Sequence, residues 1–374
     1  MNPPPDPQFT PEQEILLWAI RVDHTKDPRV AAILRSGVEW GYVRETASQH
    51  GIVPLLYTRL KGEMADLIPP EELSALRTLS MANAIRNIRM TQHLLKVLDL
   101  LAGSGVEAMP FKGPVLAVQA YGDLSMRSYR DLDILIHAND ISRAYEILTD
   151  HGHILTDTGQ IGVQRIFRSI QQKDLRFSFH GDILELHSEI IERLLAVPLD
   201  MDQLWDRSLP IFIHGQKIMT MSPEDTVIVL CFHGFKHAWQ NLVWLADLIS
   251  MISNHPDLKW HDIWVRAEMM GLKRIVLIGL FLAQKYGCVN CGPEIENLFP
   301  TDTAMFRLVS KIQIDVFRVR TLAIPPFFYL MSRERFKDKI MFLFYFSLNK
   351  ILVFLKWTVR QITGRRTSHG TGAG

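Results

Sequence analysis

The sequence has few cysteines and no excess charge of either sign, and each shortage excludes a class of protein. Its 374 residues include 3 cysteines, too few for the disulfide framework of a small secreted domain and typical of a reducing compartment. Cys288 and Cys291 have zinc-knuckle spacing, but no second pair accompanies them, so we interpret the spacing as incidental. With 41 basic and 40 acidic residues, the formal net charge of +1 provides no overall field that favours nucleic acid.

Targeting signals and long apolar runs are also scarce. Residues 1–9 are rich in proline and lack the basic start and apolar core of a signal peptide, so we expect a disordered lead on a cytoplasmic protein. The most apolar stretch, residues 340–357, is interrupted by Asn349, Lys350 and Lys356, and its uninterrupted part is too short to cross a bilayer. Because basic residues flank this stretch, two interpretations stay open: a helix docked on the protein core, or a helix in peripheral contact with a membrane.

The most informative segment is residues 127–136, in which Asp131 and Asp133 lead into a run of Ile and Leu. In a strand, residues i and i+2 project from the same face, so the two carboxylates would lie side by side. Their repulsion favours a cation between them, and replacement of Asp133 by Asn is expected to relieve it. Oxygen ligands suit Mg²⁺ or Mn²⁺, so the pair predicts a divalent metal site, with a solvated turn as the alternative.

A helix start precedes this pair. Lys112 is followed by Gly113 and Pro114, and proline favours the first helical position while glycine can occupy the cap before it. The unpaired N–H groups of a helix N-terminus bind phosphate, and Lys112 would add a full positive charge there. An ordinary junction between a loop and a helix, with a surface lysine, is the alternative.

A β-hairpin follows the pair. Residues 175–180 and 183–187 alternate apolar and polar side chains on either side of a Gly-Asp turn. On the returning strand, Glu185 and His187 share one face. Glu185 is a candidate for a third metal ligand or for the base that takes a proton from an attacking hydroxyl, although a lone glutamate on a strand usually faces solvent.

A helix beginning after Ser222 carries a second group of polar residues. His233 and His237 are four residues apart and share a face, and the same helix is predicted to continue to Asp247. This spacing can bind zinc, but residue 234 is glycine where a zinc protease has glutamate. Hydrogen-bonded structural histidines remain the alternative.

These elements, in this order, resemble the DNA polymerase β-type nucleotidyltransferase superfamily and, more narrowly, the bacterial family of uncharacterised nucleotidyltransferases. The residues that carry the resemblance are Lys112, Gly113, Tyr121, Arg127, residues 131–136, Glu185, His187 and residues 231–247. The sequence departs from the usual superfamily pattern because Pro114, rather than serine or glycine, follows Gly113.

The resemblance implies a role for each of these groups. Asp131, Asp133 and Glu185 would be the catalytic residues and hold the metal. The implied nucleotide-binding residues are Lys112, Gly113, Arg127, His187, His233, Lys236 and His237.

The implied activity is a Mg²⁺-dependent transfer of a nucleoside monophosphate from a nucleoside triphosphate to an unknown hydroxyl acceptor. We expect a small molecule, a glycan-related compound or a protein rather than nucleic acid, because no arginine-rich stripe with interleaved aromatic residues is present. The alternative is a catalytically silent protein that binds a nucleotide or a partner and has a membrane-peripheral C-terminal helix.

Periodicity divides the chain and predicts an α+β fold, in which a small mixed sheet forms the nucleotidyltransferase core between helical regions. After the lead of residues 1–9, we expect a helical region over 10–103, the α+β core over 104–215, a helical domain over 216–362 and a disordered tail over 363–374. Thr10 and Gln13 predict a capping box at the first helix. In residues 82–101, the side chains expected to form a buried stripe are Ile85, Ile88, Leu94, Leu95 and Val97.

Overall fold

The computed structural model describes residues 8–22, 27–62, 64–156, 175–191, 197–299, 302–315, 317, 326–348 and 350–351. Over these residues the fold is mixed α+β, with a small sheet between helical segments, and the predicted fold class is confirmed. Residues 1–7 of the predicted lead and the predicted tail lie outside the described residues. Phe9, which was assigned to the lead, packs edge-to-face on Tyr286 with ring centroids 6.1 Å apart.

Helices make up most of the described chain. They are α1 (Pro11–Ala19), α2 (Pro28–Ser36), α3 (Trp40–Gln49), α4 (Val53–Leu60), α5 (Pro70–Gly103), α6 (Gly113–Tyr121), α7 (Ile141–Asp150), α8 (Met201–Asp206), α9 (Pro223–Lys236), α10 (Leu242–Asn254), α11 (Trp260–Met270), α12 (Lys273–Gly287), α13 (Pro293–Glu296), α14 (Thr303–Asp315) and α15 (Pro326–Ser332). Short 3₁₀ turns lie at Ala65–Leu67 and Ala138–Asp140, and residues 336–348 are also helical.

The main sheet has five strands in the order β1-β2-β5-β4-β3. The strands are β1 (Ala108–Pro110), β2 (Asp131–Ile136), β3 (Ile154–Leu155), β4 (Leu175–Phe179) and β5 (Asp182–His187). β2 and β5 are parallel, whereas the other neighbours are antiparallel. A separate hairpin joins β6 (Leu209–Ile213) to β7 (Gln216–Thr220), so a division of the chain at residue 215 falls inside this hairpin.

Local sequence signals predicted two of these elements, the start of α1 and the hairpin of β4 and β5. The Thr10 hydroxyl accepts from the Gln13 backbone N–H, and the Gln13 side chain accepts from the Thr10 N–H, which confirms the capping box. The predicted hairpin between β4 and β5 forms, but its turn lies at His180 and Gly181, with φ angles of 50° and 86°, one residue before the predicted Gly-Asp turn, because Asp182 already pairs with Phe179. Two successive residues with positive φ are typical of the tight turn that matches strand twist.

The stripe predicted on α5 is wrong at its N-terminal end. Ile85 and Ile88 are exposed, and the buried face instead carries Asn83 and Asn87. The Asn87 amide donates to the carbonyl oxygens of Leu124 and Arg127 at 2.7 and 2.8 Å. The spacing of apolar residues did not predict this buried face. The asparagine amides donate hydrogen bonds to backbone carbonyl groups of the loop before β2, and these carbonyl groups have no strand partner.

The single helix predicted to reach Asp247 is also wrong, because α9 ends at Lys236 and α10 begins at Leu242. Between them, Ala238 and Trp239 have positive φ angles of 50° and 52°. The Trp239 ring folds back over Gly234, where an added Cβ would be 2.5 Å from a ring carbon. The absence of a side chain at Gly234 therefore permits the chain reversal that separates the two helices.

Two apolar cores meet at α6. Val115 and Ala117 belong to the core under the main sheet, whereas Leu116 and Ala120 belong to the larger core of the helical segments. Because α6 is buried on both sides, its N-terminus has a fixed position beside β2.

The helix at residues 336–348 docks only one of its faces. Phe342 is 2% exposed and stacks on Tyr329 with ring centroids 5.5 Å apart, whereas Phe336 and Phe344 are 76% and 59% exposed. Residues 352–357 of the predicted apolar stretch lie outside the described residues. Among the described helices, none has the length and apolar character needed to cross a membrane.

Candidate active site

The parallel pairing of β2 and β5 brings two carboxylates together. Asp133 lies opposite Glu185 in the register, while Leu132 and Leu184 lie opposite each other on the other face and are fully buried. A shift of one residue in either strand would turn its acid towards the apolar core that contains Leu132 and Leu184, so this face fixes the register.

Asp133, Glu185 and His187 form a compact set of metal-ligand atoms. One ligand atom from each residue lies within 4.8 Å of the others, and Asp131 lines the same cavity. Carboxylate oxygens from Asp133 and Glu185, with one imidazole nitrogen and with Asp131 in the same cavity, match the donors that divalent cations bind in proteins. The residues present therefore fit a divalent metal ion.

The charges of the three acids are not equivalent. Burial alone would raise the pKa of Asp133, but Lys112 and His187 outweigh it and hold that pKa well below its usual range. The Lys112 Nζ lies 3.2 Å and the His187 Nε2 lies 3.1 Å from the same Asp133 oxygen, Oδ1. Burial, together with the charge of Asp133, raises the pKa values of Asp131 and Glu185. The Arg176 Nε lies 3.4 Å from a Glu185 oxygen, but burial and the charge of Asp133 outweigh the nearby cations at both Asp131 and Glu185, and added positive charge would lower both pKa values.

Lys112 and Gly113 form the start of α6, one residue earlier than the sequence indicated. Gly113 has a φ of 54°, and a Cβ at this position would lie 3.3 Å from the backbone oxygen of Asp131. This close approach explains the glycine, since it lets the helix start pack against the first residue of β2. The same packing places the Lys112 ammonium group beside Asp133.

The opposite wall of the cavity carries His233, Lys236 and His237, at the C-terminal end of α9. The cavity has a volume of about 220 Å³. The His237 ring lies 4.8 Å from the His233 ring and 4.9 Å from the ring of Trp244, so the first turn of α10 packs an aromatic side chain against these histidines. Burial, followed by the charge of Lys112, holds the pKa of His233 well below its usual value. The cleft is therefore bipolar, with carboxylates on one side and nitrogen-bearing side chains on the other.

Arg127 lies outside the residues that line this cavity. Its Nε donates to the Asp247 carboxylate at 2.9 Å, and the Tyr121 hydroxyl donates to the same carboxylate at 2.9 Å. Burial opposes the charge of Arg127, but Asp247 more than compensates and raises its pKa. Arg127 thus anchors the segment that enters β2 to helix α10.

The cavity is also lined by residues that the sequence interpretation did not assign to the site, among them Glu189 and Phe111. Glu189 continues the alternation of Glu185 and His187 on one side of the chain, so the pattern contained this signal. Phe111 packs edge-to-face on His187 with ring centroids 5.2 Å apart. The sequence gave no comparable signal that Phe111 lines the cavity, because a single aromatic residue before a helix is common in apolar cores.

The class to which this chain belongs is that of the nucleotidyltransferases. More narrowly, it belongs to the family described as uncharacterised nucleotidyltransferase, whose model matches residues 36–287. The family predicted from the sequence resemblance is therefore confirmed. No curated protein matches the chain.

Three solved structures are similar to parts of the chain, each with a TM-score of 0.30. They are the lincosamide antibiotic adenylyltransferase LnuA with lincomycin bound (17% identity, 43% of this chain and 94% of that chain), the antibiotic-resistance factor ANT(2'')-Ia (11% identity, 60% and 97%) and an antigenic nucleotidyltransferase-like protein from Paracoccidioides brasiliensis (16% identity, 56% and 93%). A likeness at this level identifies neither a substrate nor an acceptor.

Proposed function

We propose that the protein is a polymerase β-type nucleotidyltransferase that uses Mg²⁺ or Mn²⁺ and transfers a nucleoside monophosphate to a hydroxyl acceptor. The observation that carries the proposal is the pairing of Asp133 with Glu185 in one register, in a cavity that Asp131 and the cationic side chains Lys112 and Lys236 also line. A bipolar cleft of this kind suits a triphosphate whose own negative charge is partly neutralised.

In this proposal Asp131, Asp133 and Glu185 hold the divalent ion, as the sequence resemblance implies. When bound, the ion supplies positive charge that neutralises the triphosphate and lowers the pKa of the acceptor hydroxyl. His187 fixes the position of Asp133 through their 3.1 Å contact. A residue that orients a metal ligand in this way commonly contributes to the affinity for the metal ion.

The remaining cleft residues bind and orient the nucleotide. Lys112 and the N–H groups at the start of α6 contact phosphate from one side, and Lys236 and His237 contact it from the other. The acceptor oxygen attacks the α-phosphorus, the bond from that phosphorus to the bridging oxygen breaks, the hydroxyl proton passes to a cleft carboxylate, and pyrophosphate leaves. Arg127 acts indirectly by fixing the start of β2 through Asp247.

The test is transfer of label from each of the four α-³²P-labelled nucleoside triphosphates, with Mg²⁺ and a cell extract as the source of acceptor. Asp133→Asn keeps the shape of the side chain but removes its charge, so transfer should fall at least about 100-fold while the fold persists. Asp257→Asn, at an exposed position remote from the cleft, is the matched control and should retain wild-type transfer. Near-normal transfer by Asp133→Asn would contradict the proposed metal site.

A catalytically silent protein is the second candidate, and one contact favours it. Lys112 and His187 both contact Oδ1 of Asp133, so the chain itself already compensates one of the three acids. A silent protein would bind a nucleoside triphosphate only with Mg²⁺ and yield no labelled product in any extract. Calorimetric binding with no transfer would support this candidate, and any Asp133-dependent product would exclude it.

We also propose peripheral contact with an anionic membrane through the exposed side chains of residues 336–348 and 350–351. Phe336, Ile340 and Phe344 are four residues apart and form one exposed stripe, which Leu343 and Ile351 extend. The basic residues in and after this helix are Arg335, Lys337, Lys339, Lys350, Lys356, Arg360, Arg365 and Arg366. An apolar stripe with flanking positive charge matches the interface of an anionic bilayer.

Sedimentation with vesicles tests this contact. The protein should pellet with vesicles of phosphatidylcholine and phosphatidylserine, and less with phosphatidylcholine alone, because each nearby basic residue contributes about 1 kcal/mol on an anionic surface. Phe344→Glu should reduce the pelleted fraction several-fold. Equal pelleting by both vesicle types, or no effect of Phe344→Glu, would contradict the proposal.

A further inference from the structure

A second cavity lies beside the candidate active site. It has a volume of about 450 Å³ and lies between the chain after β5 and the helix at residues 336–348. Most of its lining is apolar, and Glu189, Lys337 and Asp338 also line it. The apolar residues are Ile191, Val197, Pro198, Leu199, Met201, Met341 and Tyr345. We refer to this cavity as the apolar groove.

The apolar groove and the cleft adjoin each other. Glu189 lines both cavities, Ile190 lines the cleft, and the next residue, Ile191, lines the groove. A ligand in the groove would therefore reach the carboxylates by passing Glu189, with no intervening element of the fold along this short segment.

The sizes of the two cavities indicate what the groove holds. Sites for drug-sized ligands usually have volumes of about 300–1,000 Å³, whereas the cleft has about 220 Å³. The triphosphate, with its high negative charge, suits the bipolar cleft. An acceptor must then extend beyond the cleft, and the adjoining groove offers mainly apolar side chains.

We propose that the apolar groove binds the apolar part of the acceptor, which is an amphiphilic alcohol whose hydroxyl head group enters the cleft past Glu189. This inference rests on the proposed function and names the class of its acceptor. The lining explains the preference, because polar acceptors such as nucleotides or free sugars would gain little from Ile191, Leu199 and Met341. Transfer to a hydroxyl of the amphiphile forms a phosphodiester with the nucleoside and releases pyrophosphate.

Alkyl chain length provides a direct probe. Each methylene that becomes fully buried strengthens binding about fourfold. We would measure binding of hexyl, heptyl and octyl β-D-glucoside to the full chain, below their critical micelle concentrations, by saturation-transfer NMR titration. The expected result is an affinity that rises about two- to fourfold per methylene, and equal affinity for all three chain lengths would overturn the proposal.

Substitutions at two positions on the same helix distinguish an effect on the apolar groove from an effect on the exposed stripe. Met341 lines the groove and Leu343 does not, although the two residues have similar exposure, 43% and 47%. Met341→Ser should weaken octyl glucoside binding several-fold, because it removes apolar contact area from the lining without adding a charge beside Lys337, and Met341→Glu should weaken it further, whereas Leu343→Glu should change it less than about twofold. Leu199→Ser provides a second groove variant with the same expected direction. Equal effects at Met341 and Leu343 would overturn the proposal.

Nucleotide binding separates a failure of this inference from a failure of the proposed function. Mg²⁺-dependent binding of ATP should be the same in wild type, Met341→Glu and Leu343→Glu. Intact nucleotide binding without dependence on alkyl chain length would reject the groove assignment alone. If the wild type bound none of the four nucleoside triphosphates with Mg²⁺, the proposed function itself would be rejected.

Discussion

At the scale of single residues, the neighbours of each acid decide how it affects stability. Asp131 and Asp133 are two residues apart, and from the sequence their repulsion suggests that neutralising either one would stabilise the protein. The contacts of Asp133 with Lys112 and His187 reverse this expectation for Asp133, whose ionised form is favoured in the fold. The expectation survives for Asp131, because burial and the charge of Asp133 raise its pKa.

Asp131→Asn should therefore stabilise the metal-free protein at neutral pH. A carboxyl group whose pKa is higher in the folded state costs stability once it ionises. This cost is absent below the unfolded pKa of about 3.9 and is fully present above the folded pKa. With a chelator present, the thermal midpoint of Asp131→Asn should exceed that of wild type by about 2–4 °C at pH 8, and the difference should vanish as the pH falls towards about 4.

Asp133→Asn is the control for this measurement and should have the opposite sign. A lowered folded pKa contributes stability above the unfolded pKa, and this contribution is lost as the pH falls through the folded pKa. The Asn variant should then have a lower midpoint than wild type at pH 8. A higher midpoint for Asp133→Asn, or a lower one for Asp131→Asn, would contradict the assigned electrostatics.

At the scale of elements, the far wall of the cleft depends on the chain reversal between α9 and α10. Sequence spacing correctly placed His233 and His237 near each other, but it treated Gly234 only as a missing glutamate. The contact that gives Gly234 its role is made by Trp239, whose left-handed backbone has no strong local signature in the sequence. Tertiary packing, rather than helix propensity, ends α9 at this point.

Gly234→Ala should disrupt this reversal. The added Cβ would lie 2.5 Å from the Trp239 ring, which is fully packed and has no room to move. Overpacking of this kind typically costs about 1–3 kcal/mol, and urea denaturation would measure it as a lower midpoint. Gly41→Ala is the matched control, since a Cβ at Gly41 in α3 meets nothing within 4 Å and should leave stability equal or higher. A stable Gly234→Ala protein would show that the glycine is not required by the turn.

At the scale of the whole molecule, the sequence was sufficient for the fold class, the family and the two strands that carry acids. Alternation along residues 131–136 and 183–187 showed which side chains share a face, because period 2 is a local property. The sequence suggested that the strand of Glu185 lies next to the strand of Asp131, but the parallel orientation and the register of β2 and β5 were not readable, since β3 and β4 come between them along the chain. The division into domains stays a prediction.

Long-range polar partners set a second limit on what the sequence revealed. Arg127 was assigned to the nucleotide, yet its observed partner is Asp247, which lies 120 residues later. This pair joins the entry to β2 with helix α10 and so links the sheet to the helical segments. Charge type alone cannot distinguish a phosphate ligand from a buried ion pair, because both use the same guanidinium geometry.

The central claim is that Asp131, Asp133 and Glu185 form one metal site that serves a nucleoside triphosphate. Its most direct test is a titration of the purified protein with Mn²⁺, followed by electron paramagnetic resonance, with and without a non-hydrolysable ATP analogue. The account predicts saturable Mn²⁺ binding that tightens with the analogue in wild type and in Asp257→Asn, and that weakens about 10- to 100-fold or more in Asp133→Asn. Mn²⁺ binding of equal strength in wild type and Asp133→Asn would contradict it.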